Sequence, residues 1–233
     1  MALLAVITGG TKGIGRAIIE RFAKAGFAIA TCSRKQADLD VLVAEVGQRY
    51  AVPVSVFVAD MSVTEQVKRF TTFVNTVGAA EVLVNNAGYF VPGAVTDEPE
   101  GTLESMIHSN VYSAYYTTRG LIDAMKARGR GHVFNMCSIA SIKAYPNGGS
   151  YAISKFALLG FSKVLREELK PTGIRVTAVL PGATRTASWD GVELPDDRFM
   201  KPEDVADTIY GAYALSKNTV VEEILLRPQL GDI

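Results

Sequence analysis

Short apolar runs rich in β-branched residues recur along the chain: Leu3 to Ile7, Phe27 to Thr31, Val54 to Val58, Val82 to Val84, His132 to Met136, Arg175 to Val179 and Val220 to Leu226. They read as seven buried strands. Between them lie longer segments whose apolar residues repeat at helical spacing, among them Ile14 to Ala25, Gln36 to Arg49, Val63 to Val77, Leu103 to Lys126 and Tyr151 to Leu169. Strand and helix therefore alternate, which predicts an α/β fold: a doubly wound parallel sheet of seven strands, joined by right-handed crossovers, with helices on both faces. The Pro- and Gly-containing stretches at about 89–101 and 183–202 read as loops at the strand ends, where such sheets bind their ligands.

At 233 residues and 48% hydrophobic, residues 1–233 suit one large domain with a well-buried core. Lys+Arg and Asp+Glu are both 24, so no basic excess draws the chain to nucleic acid or an anionic membrane, and a small-molecule partner is expected. Apolar runs are broken well before the roughly 18 residues that a spanning helix needs. Met1 to Thr8 lacks a basic region and a cleavage site and reads as a strand, not a signal peptide. Cys32 and Cys137 have neither disulfide-framework nor metal-ligand spacing, which fits the cytoplasm. His108 and His132 have no Cys or carboxylate at ligand spacing. No metal site is expected.

The first strand runs into Thr8-Gly9-Gly10-Thr11-Lys12-Gly13-Ile14-Gly15, and a helix pattern follows at once. Gly9 permits a tight turn. Gly13 and Gly15 let backbone approach a pyrophosphate and helix approach strand, and the helix N-terminus favours the negative charge. A site for NAD usually carries Asp or Glu at the end of the second strand, about 20 residues beyond the turn, to bind the ribose 2′-hydroxyl. Ser33 and Arg34 occupy that place here. With a guanidinium present and no carboxylate, a 2′-phosphate finds a bidentate donor, and Lys12 adds a second cation. NADP(H) is the expected cofactor, although a solvated surface position is the usual fate of Lys and Arg.

Tyr151 and Lys155 stand one helical turn apart, so their side chains share a face, and Ser138 follows the fifth apolar run. A free phenol has a pKa of about 10, so acid–base work near neutrality needs it lowered by roughly 3, worth about 4 kcal/mol. A neighbouring ammonium and an oxidised nicotinamide both push that way. Ser138 then holds the substrate oxygen while Tyr151 gives or takes its proton.

Taken in order, Thr8-Gly-x-x-x-Gly-x-Gly15, Asp60, Asn85-Asn86-Ala87-Gly88, Asn110, Ser138, Tyr151-x-x-x-Lys155 and Pro181-Gly182 resemble the motifs of the short-chain dehydrogenases/reductases across essentially the whole chain. The resemblance implies a Rossmann-type fold and NADP(H)-dependent oxidoreduction at CH–OH groups. It places Asp60 and Met61 beside the adenine and Asn86, Ala87 and Gly88 along the cofactor cleft. Lys155 would bind the nicotinamide ribose while acidifying Tyr151, and Asn110 would hold a water linking Lys155 to solvent. Pro181, Gly182, Thr184 and Thr186 would contact the nicotinamide carboxamide. Thr31-Cys-Ser-Arg34 is similar to NADP-selecting members.

Within the family, the short Thr184 to Asp197 region and the ending Val220 to Ile233 look most like bacterial sepiapterin reductases and related small carbonyl reductases. That implies reduction of a ketone on sepiapterin or a dicarbonyl-like molecule. The 3-oxoacyl-[acyl-carrier-protein] reductases share the catalytic motifs, and a basic patch from Arg128, Arg130 and Lys143 could dock an acidic carrier. A noncatalytic NADP-sensing protein is the other alternative. Tyr89, Tyr145, Trp189 and Phe199 fall in the predicted loops and could wall a flat substrate. The segments Leu103 to Lys126 and Tyr151 to Leu169 are apolar on more than one face and pair across subunits in the family, so a homodimer or homotetramer is expected.

Overall fold

The computed structural model describes residues 2–189, 191 and 193–233. Met1, at the head of the expected first strand, and Asp190 and Val192, inside the expected second loop, lie outside the described residues. Each predicted apolar run forms a strand: β1 Leu4–Thr8, β2 Ala28–Ser33, β3 Val54–Val58, β4 Ala80–Asn85, β5 Gly131–Met136, β6 Ile174–Pro181 and β7 Glu223–Leu226. They build one sheet in the order β3-β2-β1-β4-β5-β6-β7, with every neighbouring pair parallel.

Period-two alternation splits the core into two layers. Ala5 and Ile7 of β1 face one layer with Phe134 and Val179, while Leu4 and Val6 face the other with Val133 and Val176. The first layer is closed by α1 (Gly13–Lys24), α2 (Gln36–Tyr50) and α7 (Pro202–Ala214), and the second by α3 (Thr64–Val77), α5 (Ser113–Arg128) and α6 (Gly149–Leu169). Phe22 of α1 is fully buried and meets Phe27, Tyr210 and Tyr213 edge to face. A side chain of that size contributes about 1.5–3 kcal/mol by leaving water.

Two elements differ from the sequence expectation. The helix expected over Leu103 to Lys126 is three pieces: α4 (Thr102–Ile107), a π-helical turn over His108–Tyr112, and α5. Ser113 N–H donates to the His108 carbonyl five residues back, and the Asn110 amide bonds the loop after β4 through both Tyr89 backbone groups. The side-chain bonds outweigh regular α-spacing there, a widening that often marks functional positions. The second difference is α7, which the apolar pattern had not singled out. Pro202 begins it and Glu203 and Asp204 fill its first turn, both helix-start signals, while Val205, Ala206, Ile209 and Ala212 bury one stripe.

Because all strands run the same way, the loops after β1, β4, β5 and β6 gather along one edge of the sheet. The order reverses between β1 and β4, which opens a crevice there.

Candidate active site

The turn after β1 is held in shape by its neighbours. Gly9 and Gly13 adopt φ values of 66° and 53°, which side-chain-bearing residues rarely do. A Cβ on Gly15 would meet Asn86 Nδ2 and the Gly9 carbonyl at 2.5 Å, and one on Gly13 would meet Thr186 at 3.1 Å. Asn86 pins the turn from β4: its Nδ2 donates to the Thr8 and Gly9 carbonyls at 2.9 and 3.0 Å. The Thr8 hydroxyl accepts from the backbone N–H groups of Asn86 and Ala87. Helix α1 has no side-chain cap on its N-terminus, so its first N–H groups face the crevice ready for an anion.

Around this turn the chain forms a cleft of about 1060 Å³, room for an extended ligand together with a smaller one. Gly9, Thr11, Lys12, Gly13, Ile14 and Gly15 line it from β1 and α1. Ser33 and Arg34 line it after β2, and Asp60 and Met61 after β3. Asn86, Ala87 and Gly88 follow β4, and Pro181, Gly182, Thr184 and Thr186 follow β6. Thr11 donates to the Ser33 hydroxyl at 3.4 Å. Lys12 is not a free cation: its Nζ lies 3.5 Å from Asp38. Arg34 is exposed. Burial pushes the Asp60 carboxyl up, but hydrogen bonds from the Ser62 hydroxyl and N–H, with the Arg34 guanidinium, outweigh it and hold the group below its ordinary value.

Ser138, Tyr151 and Lys155 meet on the same cleft wall. Ser138 caps a short 3₁₀ turn, accepting from Ala140 N–H while its own N–H donates to Ser141 Oγ, and this fixes its hydroxyl at the end of β5. Lys155 Nζ donates to the Met136 carbonyl at 2.7 Å and stands 5.6 Å from the Tyr151 ring centroid. Burial lowers the Lys155 ammonium to about 8. Burial also raises the Tyr151 phenol, against the hydrogen bond with Ser138 that lowers it. The protonated phenol is therefore the resting form of the free protein, and lowering it falls to charges brought closer by a bound ligand.

Asn110 does not line the cleft. It is 1% exposed and sits behind Gly88, where an added Cβ would meet Asn110 Oδ1 at 2.6 Å. Its Nδ2 donates to Ser154 Oγ at 2.9 Å, on the helix that carries Tyr151 and Lys155.

The aromatic wall differs from expectation in one member. Tyr89, Tyr145 and Trp189 line the cleft, whereas Phe199 is 6% exposed and packs beneath Trp189, with ring centroids 5.2 Å apart. Phe90, unremarked in the sequence, takes the vacant role: it lines the cleft and meets the Tyr151 ring edge to face at 4.8 Å. Its place two residues after Gly88 was the available signal. The basic residues considered for carrier docking are occupied. Arg128 and Arg130 both bind the buried Glu81 carboxylate at the far end of β5, and Lys143 pairs with Asp232 at 3.1 Å. His132 is buried, shares a 2.7 Å hydrogen bond with Thr177 and stacks on Phe134. Among the described residues no three His, Cys, Asp or Glu side chains gather as a metal site.

A family profile described as short chain dehydrogenase matches residues 3–195. The chain is 36% identical over 245 aligned residues to a sepiapterin reductase of Chlorobaculum tepidum, covering 100% of this chain and 99% of that protein. An uncharacterized oxidoreductase of Staphylococcus aureus is 27% identical, covering 97% and 96%. Among solved structures, an alcohol dehydrogenase from Thermococcus sibiricus complexed with 5-hydroxy-NADP superposes with a TM-score of 0.91 at 29% identity, covering 98% and 97%. L-sorbose reductase from Gluconobacter frateurii, complexed with NADPH and L-sorbose, gives 0.90 at 27% identity, covering 97% and 95%.

Proposed function

The chain belongs to the short-chain dehydrogenase family, and on that premise we propose that it is an NADP(H)-dependent oxidoreductase that reduces a carbonyl to a secondary alcohol. The convergence of Ser138, Tyr151 and Lys155 on one wall of the cleft, beside the glycine turn, carries this reading. The turn and the uncapped start of α1 suit a pyrophosphate, and the exposed Arg34 guanidinium suits a 2′-phosphate, with Lys12 adding to it only as it leaves Asp38. Asp60 and Met61 would flank the adenine, and Asn86, Ala87 and Gly88 the ribose and pyrophosphate side. Pro181, Gly182, Thr184 and Thr186 would hold the carboxamide. Bound in this cleft, the dihydronicotinamide would supply a hydride to the carbonyl carbon. Ser138 holds the carbonyl oxygen, and Tyr151 donates its phenolic proton to that oxygen as charge builds there. Lys155 binds ribose hydroxyls and, while protonated, stabilises the phenolate left behind. Asn110, set behind Gly88 with its side chain bonded to Ser154 and the Tyr89 backbone, would steady α6 beside Tyr151, and the phenolate would regain its proton from solvent by way of Lys155.

For the substrate we infer a carbonyl on a side chain beside a flat polar ring or a second carbonyl, as in sepiapterin. The likeness to a sepiapterin reductase supports this, as do Tyr89, Phe90, Tyr145 and Trp189 around the mouth of the cleft. The segments 89–101 and 183–202 would be the substrate loops of a single catalytic domain. Acyl-carrier-protein docking is the weaker alternative, because Arg128, Arg130 and Lys143 are already paired. The test follows NADPH absorbance with sepiapterin, simple diketones and a carrier-bound acetoacetyl thioester. Turnover of the first two at a higher kcat/KM supports the reading; NADPH binding with no turnover of any would favour a sensor.

The same reading includes a homodimer or homotetramer. Tyr112 and Tyr115 before and on α5, and Ile153, Phe156 and Val164 on α6, are exposed apolar side chains that a second copy would cover. A cytoplasmic location fits too: both cysteines are free and buried. No helix among the described residues is long and apolar enough to cross a membrane.

A further inference from the structure

The N-terminus of α6, the helix that carries Tyr151, is capped from outside the helix. Its cap residue, Gly148, offers no side-chain hydrogen bond, so the first-turn N–H groups depend on partners from elsewhere. One partner comes from 52 residues earlier in the chain. Glu98 Oε1 and Oε2 accept from Ser150 N–H at 2.9 and 3.2 Å, and the Ser150 hydroxyl also donates to Glu98 Oε2. Ser150 is 2% exposed and immediately precedes Tyr151.

The surrounding backbone is shaped for this contact. Gly93 N–H donates to the Asn147 carbonyl at 3.1 Å, and Glu98 N–H to the Ala94 carbonyl at 2.9 Å, which folds Gly93 to Glu98 into a compact turn against the start of α6. A Cβ on Gly149 would collide with Glu98 Oε1 and the Gly93 carbonyl, and one on Gly93 would meet Glu98 Cγ at 2.6 Å. Asn147 and Gly149 hold positive φ values of 61° and 33°. Two missing side chains and two left-handed residues thus let one carboxylate reach the helix end. The same loop reaches Tyr151 itself through Phe90, 4.8 Å from its ring.

We propose that Glu98 is a positioning residue for Tyr151: its carboxylate caps the first turn of α6 and locks the phenol in line with Ser138 and the substrate loop. This rests on the reductase reading above. A carboxylate suits the place, because it accepts several N–H and O–H bonds at once and its charge complements the helix N-terminus. The catalytic consequence follows from geometry. A general acid must hold its proton within hydrogen-bond reach of the forming alkoxide, and a displacement of about 1 Å can cost as much as 100-fold in rate.

The test compares wild type, Glu98→Ala and Glu98→Gln in the full chain by three readings: NADPH dissociation constant, kcat and KM for a turned-over dicarbonyl, and hydrogen exchange along α6. In Glu98→Ala the Ser150 to Ala152 amides should exchange at least about tenfold faster, while those of Leu158 to Leu169 stay protected. Its kcat should fall about tenfold or more, with NADPH affinity within about twofold of wild type. Glu98→Gln, whose amide oxygen still accepts from Ser150 N–H, should recover kcat to within about threefold. Unchanged exchange in Glu98→Ala, retention of more than half the wild-type kcat, or equal impairment of the two variants would each overturn the proposal. Absence of turnover in the wild type would instead defeat the reductase reading, and exchange alone would then decide whether Glu98 caps the helix.

Discussion

Lys155 Nζ donates to the backbone carbonyl of Met136 at 2.7 Å, which holds the ammonium at the end of β5, 5.6 Å from the Tyr151 ring centroid. The tether makes a flexible side chain a fixed charge beside the phenol. It also keeps that charge in a buried place, where burial lowers its pKa from 10.5 to about 8.

A pH dependence follows. The kcat/KM for NADPH, which reports the free enzyme, should be level below about pH 8 and fall above it as the ammonium loses its proton. The sign is set by burial, which disfavours the charged form, so the loss comes well before an ordinary lysine would titrate. In Lys155→Arg the descending limb should move beyond the accessible range. A limb near 10.5 in the wild type would contradict a buried, tethered ammonium.

Arg34 should decide between the two nicotinamide cofactors. It lines the cleft where the ribose 2′ position is proposed to lie, and charge-assisted bonds there are worth roughly 1.5–3 kcal/mol. Arg34→Ala should weaken NADPH binding by about 10-fold to 150-fold and leave NADH nearly unchanged, as read by fluorescence titration. Equal losses for both cofactors would show that Arg34 does not read the 2′-phosphate.

His132 should make the protein acid-sensitive without touching the chemistry. Burial first, and the Arg175 guanidinium second, hold its imidazole well below 6.5. The unfolded chain therefore binds a proton below about pH 6.5 that the folded chain refuses, and stability falls as pH drops through that range. The cost approaches about 1.4 kcal/mol for each pH unit until the folded group titrates. Urea unfolding between about pH 7 and pH 5 should show a shallower pH slope for His132→Gln than for wild type. An unchanged slope would mean that other groups carry the acid response.

The parts of this architecture legible in the sequence are those that local chemistry controls. A strand such as β1, buried along its whole length, announces itself as an apolar run, and the glycine turn is written within one stretch of chain. Ser138, Tyr151 and Lys155 were readable because one helical turn and one strand end fix them. The π turn at Asn110 was not, since one added residue leaves an apolar repeat looking helical, and the cause is a distant partner, the Tyr89 backbone. Glu98 was hidden for the same reason: its partner lies 52 residues away. Phe199 misled because a loop aromatic can face the ligand or the underside of its neighbour, and Trp189 took the outer place.

The most direct measurement of Tyr151 as the proton donor is single-turnover reduction of a dicarbonyl or sepiapterin by NADPH-loaded wild type and Tyr151→Phe. The substitution removes only the phenolic oxygen, from a side chain packed against Phe90, so the fold and the cofactor site should persist. NADPH affinity is expected to stay within about twofold, while the hydride-transfer rate falls by roughly 100-fold or more, the scale of losing a general acid. A Tyr151→Phe rate within a few-fold of wild type would contradict the central role of Tyr151.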